Sequence, residues 1–261
     1  MFGFGYTGII ATMKKVSGVS YGARTADFAT ATGITDAVIL AALNNLDTTI
    51  GPFFDSGKIN AFFPRVGGTL NTCKYNFVNT ATFVNTYIGG WTFNSSGQFP
   101  NGTNATCDTG WNPTTQAASN KGGYGIYLRS NTSDAKTPLM ASDSYLYFGL
   151  FPYNSISRMY YCNNNLATIF ESPTIYHKFQ QSSRLDASTN LVSAETQQFT
   201  ETQISTAVIN VNVLTGGNSA VGYSSVGEGS TYLSTNTITL AEQLTIRTAV
   251  ITFETALSRN V

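Results

Sequence analysis

The chain carries few residues suited to bond-making chemistry. His177 is its one histidine, and Cys73, Cys107 and Cys162 are its three cysteines. They lie far apart with no C-x-x-C pair, so a zinc site would have to recruit isolated ligands, and we expect no metal. A lone histidine in the run Ile175-Tyr176-His177-Lys178 reads as a partly buried strand residue. Retaining glycosidases need an acid and a nucleophile about 5 Å apart. On a β-sandwich that can be met by an E-x-D-x-E run along one strand, and no such run occurs. The nearest acidic pair, Glu195 and Glu201, falls in a Thr/Gln-rich stretch without strand alternation. Neither a G-x-S-x-G elbow nor a phosphate-cradling loop is present. The expectation is a protein that is not an enzyme and uses no cofactor.

Binding is the chemistry that remains. Tyr124-Gly125-Ile126-Tyr127-Leu128-Arg129 alternates, with Tyr124, Ile126 and Leu128 on one face and Tyr127 and Arg129 on the other. In Tyr145 to Leu150, Leu146, Phe148 and Leu150 point inward while Tyr145 and Tyr147 point out. If these strands adjoin, Tyr127, Arg129, Tyr145 and Tyr147 form either a sugar-stacking surface with a polar handle or a set of cross-strand aromatic pairs at a protein interface. At the other end of the chain Phe2, Phe4 and Tyr6 alternate with glycines. An extended backbone projects all three to one side, as an arm that docks on a neighbouring subunit or as a frayed terminus.

The elements that must hold these residues are mostly strands. Thr35 or Asp36 offers an N-cap for a helix from about Asp36 to Leu46 or a little beyond, with Val38, Ile39, Ala42, Leu43 and Leu46 on one face. Pro52 should close it, and a short helical turn is expected over Ile59 to Phe63. Aromatic and β-branched runs then alternate with Gly67-Gly68, Gly89-Gly90, Ser95-Ser96-Gly97 and Pro100-Asn101-Gly102, which mark turns. Asn163-Asn164-Asn165 predicts a hairpin between strands at 156–162 and 166–170. Weaker strands are expected at 178–185 and 190–193. Ile209, Val211 and Val213 alternate with asparagines as a further strand. A capping box of Thr239 and Glu242 opens a terminal helix that should lie outside the strands or against their edge.

Composition narrows the class. Charged residues make up 11% of the 261, and 14 basic side chains balance 14 acidic ones. That leaves no electrostatic footprint for nucleic acid. Aromatics at 13% argue for a packed core. Three cysteines cannot all pair within one chain, and free buried thiols suit a reducing compartment. Glycines interrupt the first apolar run and Lys14-Lys15 follow it, so no export signal is expected. No membrane span is expected either.

Several runs, among them Phe63-Pro64-Arg65-Val66-Gly67-Gly68-Thr69, Lys74-Tyr75-Asn76-Phe77, Gly90-Trp91-Thr92, Pro100-Asn101-Gly102-Thr103-Asn104-Ala105 and Asp108-Thr109-Gly110, resemble a family of uncharacterised tailed-phage and prophage structural proteins. A helix of the type at Ile34 to Leu46 and an ending of the type Leu257 to Val261 belong to the same pattern, so the resemblance spans roughly residues 16 to 261. It implies an all-β, antiparallel jelly-roll β-sandwich of the concanavalin A-like kind, with a short N-terminal helix and a C-terminal helix. The implied layout is an N-terminal arm at 1–33, a helical connector at 34–63 and the sandwich with its helix at 64–261. It also implies a virion location, with other virion proteins as partners, and a homo-oligomeric assembly is expected beside it. The expected role is a decoration, fibre or tail-associated subunit attached through Phe2, Phe4 and Tyr6. The alternative is a lectin-like module recognising a host surface glycan.

Overall fold

The computed structural model describes residues 20–118, 120–129, 138–143, 146–153, 158–165, 169–170, 178–194, 197–202, 204–205, 208–219 and 222–260. Among them, strands dominate and pair antiparallel into a β-sandwich covered on one side by helices. The first sheet runs, in spatial order, through β13 (Gln197–Thr202), β12 (Thr189–Ala194), β11 (Lys178–Arg184), β6 (Gly123–Leu128), β17 (Glu228–Ser234), β4 (Gly97–Pro100) and β3 (Trp91–Asn94). β1 (Ile59–Phe63) also pairs with β17. The second sheet runs through β10 (Ile169–Phe170), β9 (Arg158–Asn165), β8 (Leu146–Tyr153), β7 (Leu139–Asp143), β14 (Leu214–Thr215), β5 (Thr106–Asp108) and β2 (Thr86–Ile88). A small hairpin joins β15 (Gly217–Asn218) to β16 (Gly222–Tyr223).

Helices α2 (Ala37–Asp55) and α5 (Leu240–Ala256) lie on the outer face of the first sheet and α1 (Ala23–Thr32) packs on α2, while α3 (Leu70–Cys73) and α4 (Pro113–Gln116) are single turns. Asp36 caps α2 by accepting from the amides of Val38 and Ile39 at 2.8 and 3.1 Å. Thr239 and Glu242 close the capping box that opens α5. The molecule therefore has two cores. Between the sheets lie Phe63, Tyr124, Ile126, Leu128, Leu139, Phe148, Leu150, Val192 and Leu233, with Trp111 at one end. Between the first sheet and the helices lie Leu43, Leu46, Ile50 and Phe54 of α2, Ile246, Val250 and Phe253 of α5, and Phe62, Tyr127, Phe179 and Tyr232 of the strands.

This layering corrects several expectations. Ile59–Phe63 is a strand, β1, hydrogen-bonded to β17, and not a helical turn. A short apolar run carries no period that separates the two, and pairing decides. α2 does not stop at Pro52 but continues through it to Asp55. In the last turn the proline forfeits a single backbone bond, and the buried Phe54 holds that turn in place. α1 lies inside the stretch read as an arm, so helices extend beyond the two expected. Gln197–Thr202 pairs with β12 as an edge strand, while residues 208–213 form none. Ile209 and Val213 are nonetheless buried from that loop. The β9–β10 hairpin forms, with Ile169 opposite Tyr160, and the three asparagines belong to the end of β9. By length and composition α2 would also suffice to cross a membrane. Its apolar side is taken up by α5 and the first sheet, as in a core helix.

Candidate functional site

The surface expected from Tyr127, Arg129 and Tyr147 does not assemble. Tyr127 does project from the opposite face of β6 to Tyr124 and Ile126, but α5 covers that face and Tyr127 is 0% exposed. Its hydroxyl donates to Asn260 Oδ1 at 2.8 Å. Arg129 is half-buried beside it and donates to the carbonyl of Arg259. Its pKa is lowered by burial. Tyr127 is thus a packing residue and Arg129 a clasp on the chain after α5, not parts of a wet surface. Tyr147 sits on β8 in the second sheet, so its strand does not adjoin β6. Phe2, Phe4, Tyr6, Tyr145 and His177 lie outside the described residues. Cys73 and Cys107 are free, buried thiols, and burial pushes Cys107 up to about 12.

An aromatic cluster does form at the other rim, where the sheet edges β2 and β3 come side by side. The chain crosses from one to the other through Gly89 and Gly90. Gly89 has φ +78°, and a Cβ there would stand 2.1 Å from the carbonyl oxygen of Asn104. Only glycine permits this crossover. It brings Tyr87 of β2 edge-on to Trp91 and Phe93 of β3, with ring centroids 5.3 and 5.0 Å apart, while Trp91 and Phe93 stack at 6.4 Å. All three rings are half-buried, and Ile88 beside them is 61% exposed. The indole N–H of Trp91 donates to the carbonyls of Ile88 and Thr106. Gly216, at φ +79°, packs under the same ring.

Two turns frame the cluster. Asn104 Oδ1 accepts from the amide of Gly90 at 3.1 Å and from Asn101 Nδ2 at 2.8 Å. Gly102 N donates to the carbonyl of Ser224, tying the 101–104 turn to the segment after β16. The free edge of Asn104 and the side chains of Thr86 and Thr92 remain exposed.

Beneath the rings lies a fully buried polar network. Tyr87 donates its hydroxyl to Gln98 Oε1 at 2.5 Å, and Gln98 Nε2 donates to Glu228 Oε2 at 2.7 Å. The other Glu228 oxygen accepts from Gly216 N at 3.0 Å. Arg65, from a φ of +52°, donates Nη1 to Glu228 at 3.2 Å. Burial raises the Glu228 carboxyl to about 7 despite the guanidinium beside it. Burial alone would lower Arg65, but Tyr87 and Glu228 outweigh it and keep the guanidinium charged. The network is closed from solvent and holds Tyr87 in place. Alternation could not reveal it, because Tyr87, Gln98 and Glu228 come from three separate strands. The visible signal was Gly90-Trp91-Thr92 between turn residues.

No family model and no curated protein sequence matches the chain. Solved structures do. Domain 4 of AbnA, a GH43 extracellular arabinanase from Geobacillus stearothermophilus, in complex with arabinotriose, is 13% identical with a TM-score of 0.51, covering 73% of this chain and 98% of that chain. The receptor binding domain of botulinum neurotoxin D is 8% identical with a TM-score of 0.53, covering 75% of this chain and 53% of that chain. Trypanosoma rangeli sialidase in complex with 2,3-difluorosialic acid is 10% identical with a TM-score of 0.55, covering 83% and 38%. The chain thus spans about half of the toxin domain and less of the sialidase. At such identities the likeness establishes a shared β-sandwich and no site.

Proposed function

We propose that this chain is a lectin-like recognition module, a jelly-roll sandwich that binds a surface glycan and performs no catalysis on it. The carrying observation is the partly buried cluster of Tyr87, Trp91 and Phe93, locked at the sandwich rim by backbone and side-chain hydrogen bonds. Sugar rings stack their apolar faces on such aromatics and take hydrogen bonds from nearby amides and hydroxyls. The arabinotriose-bound domain and the toxin's receptor-binding domain, which share the fold, support the same reading. Against catalysis, the buried carboxylates Glu228 and Glu254 are each engaged by an arginine. The resemblance to phage structural proteins supports a place on a virion, beside other virion proteins and in several copies, with the glycan on the host.

The test uses labelled chain and host cells before and after mild periodate oxidation of their surface polysaccharide. Loss of binding on oxidation supports the module. Binding that survives both oxidation and removal of the polysaccharide would refute it. Antibody labelling of intact particles tests the virion location separately.

A further inference from the structure

We propose that the ligand of the Tyr87–Trp91–Phe93 rim is an uncharged saccharide, and that sialylated, sulfated or phosphorylated glycans are excluded from it. This rests on the recognition reading above and deepens it to a chemical class.

The argument is one of charge. From Tyr75 to Cys107 the chain contains no Asp, Glu, Lys, Arg or His, and from Gln203 to Gly227 it again contains none. These two stretches are far apart in sequence, yet among the described residues they supply the elements that meet at the rim. The first gives β2, the Gly89–Gly90 crossover, β3 and the 101–104 turn, and the second gives Gly216 and the β15–β16 hairpin. They are joined where Gly102 N meets Ser224 O and where Gly216 packs under Trp91. Lys74 and Asp108 flank the first stretch, but Lys74 lies over the Tyr75 ring and Asp108 accepts from Asn212 and Gly110. The formal charges beneath the rim, Arg65 and Glu228, are fully buried and paired with each other.

An anionic sugar placed here would lose water around its carboxylate, sulfate or phosphate and find no unpaired cation among the described residues in return, which disfavours binding. A neutral pyranose loses only hydroxyl hydration. Its apolar face fits the aromatic rings, and its hydroxyls can meet the exposed Thr86, Thr92 and Asn104 side chains. Because no ion pair forms, affinity should hardly respond to salt.

The chain itself supplies the probe. It has two tryptophans, of which Trp111 is fully buried and Trp91 only half-buried. Quenching of emission by acrylamide, a neutral quencher, therefore reports mainly on Trp91. The intact chain is screened on an array divided into neutral and anionic glycans. The best binder is then titrated at about 0.05 and 0.5 M salt with acrylamide quenching followed throughout. We expect neutral oligosaccharides to bind, to shield Trp91 and to change affinity less than about twofold between the two salts, and Trp91→Ala to weaken binding about tenfold or more. A selective anionic binder that shields Trp91 would overturn the charge class and leave the recognition module standing. A neutral binder that leaves Trp91 quenchable would overturn the site alone. No binding to any glycan would overturn both.

Discussion

Arg259 and Arg65 stand 194 positions apart, and Nη1 of the first donates to the backbone carbonyl of the second at 2.7 Å. Nη2 reaches the Pro64 carbonyl at 3.1 Å, and Nε and Nη2 grip Glu254 at 2.7 and 2.9 Å. Glu254 in turn accepts from the amide and hydroxyl of Ser230 in β17. The chain after α5 is thereby fastened to the turn after β1 and to the centre of the first sheet.

Arg259→Ala should therefore cost about 3–5 kcal/mol of unfolding free energy, because it leaves Glu254 buried without its partner and two carbonyls without a donor. Urea denaturation measures it. A loss under about 1 kcal/mol would mean that solvent reaches Glu254. Arg259→Lys should recover only part, since an ammonium cannot grip the carboxylate with two parallel bonds.

Stability should decline as pH rises from about 4.5 toward 7. Glu228 is raised to about 7 by burial in the folded chain, against an ordinary value of 4.5, so in this window the folded state holds a proton that the unfolded state has released. The contribution is fully present below the unfolded value and is lost as pH passes the folded one. Glu201 is also raised to about 7 by burial and adds a slope of the same sign. Glu228→Gln should flatten the pH dependence without abolishing it, and above about pH 7, where Glu228 is ionised, should lower stability by leaving Arg65 without a counter-charge. A rising profile in the parent would reject this account of Glu228.

Tyr127→Phe should reduce stability by about 1 kcal/mol through the lost bond to Asn260 and leave glycan binding within about twofold. A collapse of binding in a folded variant would return Tyr127 to the site.

At Gly216 an added methyl meets the Trp91 ring at 2.6 Å on a backbone of φ +79°. Gly216→Ala should cost about 1–3 kcal/mol and shift the Trp91 emission as the ring is displaced. It should also remove saccharide binding. An unchanged emission spectrum with intact binding would mean that Trp91 does not rest on this turn.

Much of the sandwich was legible. The alternation of Tyr124, Ile126 and Leu128 placed them between the sheets, and Asp36 and the Thr239–Glu242 box marked both long helices. Alternation separates two faces of a strand, however, without saying which is wet. The reading of Tyr127 as wet fails because α5, packed on α2, covers the outer face of its strand. The same cover is part of why β11 looked weak. Its Gln181 is buried beneath α5, while Ser182, on the opposite face beside Tyr124, is buried between the sheets; both read as solvent-facing until their partners are known. Gln181 donates to the Gln243 carbonyl and accepts from Tyr232, and Ser182 donates to Asn190. The aromatic rim was hidden for a related reason. Tyr87 and Trp91 are near in sequence but belong to different sheets, and only the glycine crossover reveals that their rings meet.

The place of β17 sets the order in which the molecule can be made. Residues 228–234 lie between β6 and β4 in the first sheet and also pair with β1, so β1 has no strand partner, and β6 and β4 have only one each, until this segment leaves the ribosome. Pairings of such sequence separation close slowly, and unpaired edges remain open meanwhile. Nascent chains halted before β17 should accordingly be sensitive to protease and bound by chaperones, with protection arriving abruptly once β17 and α5 emerge.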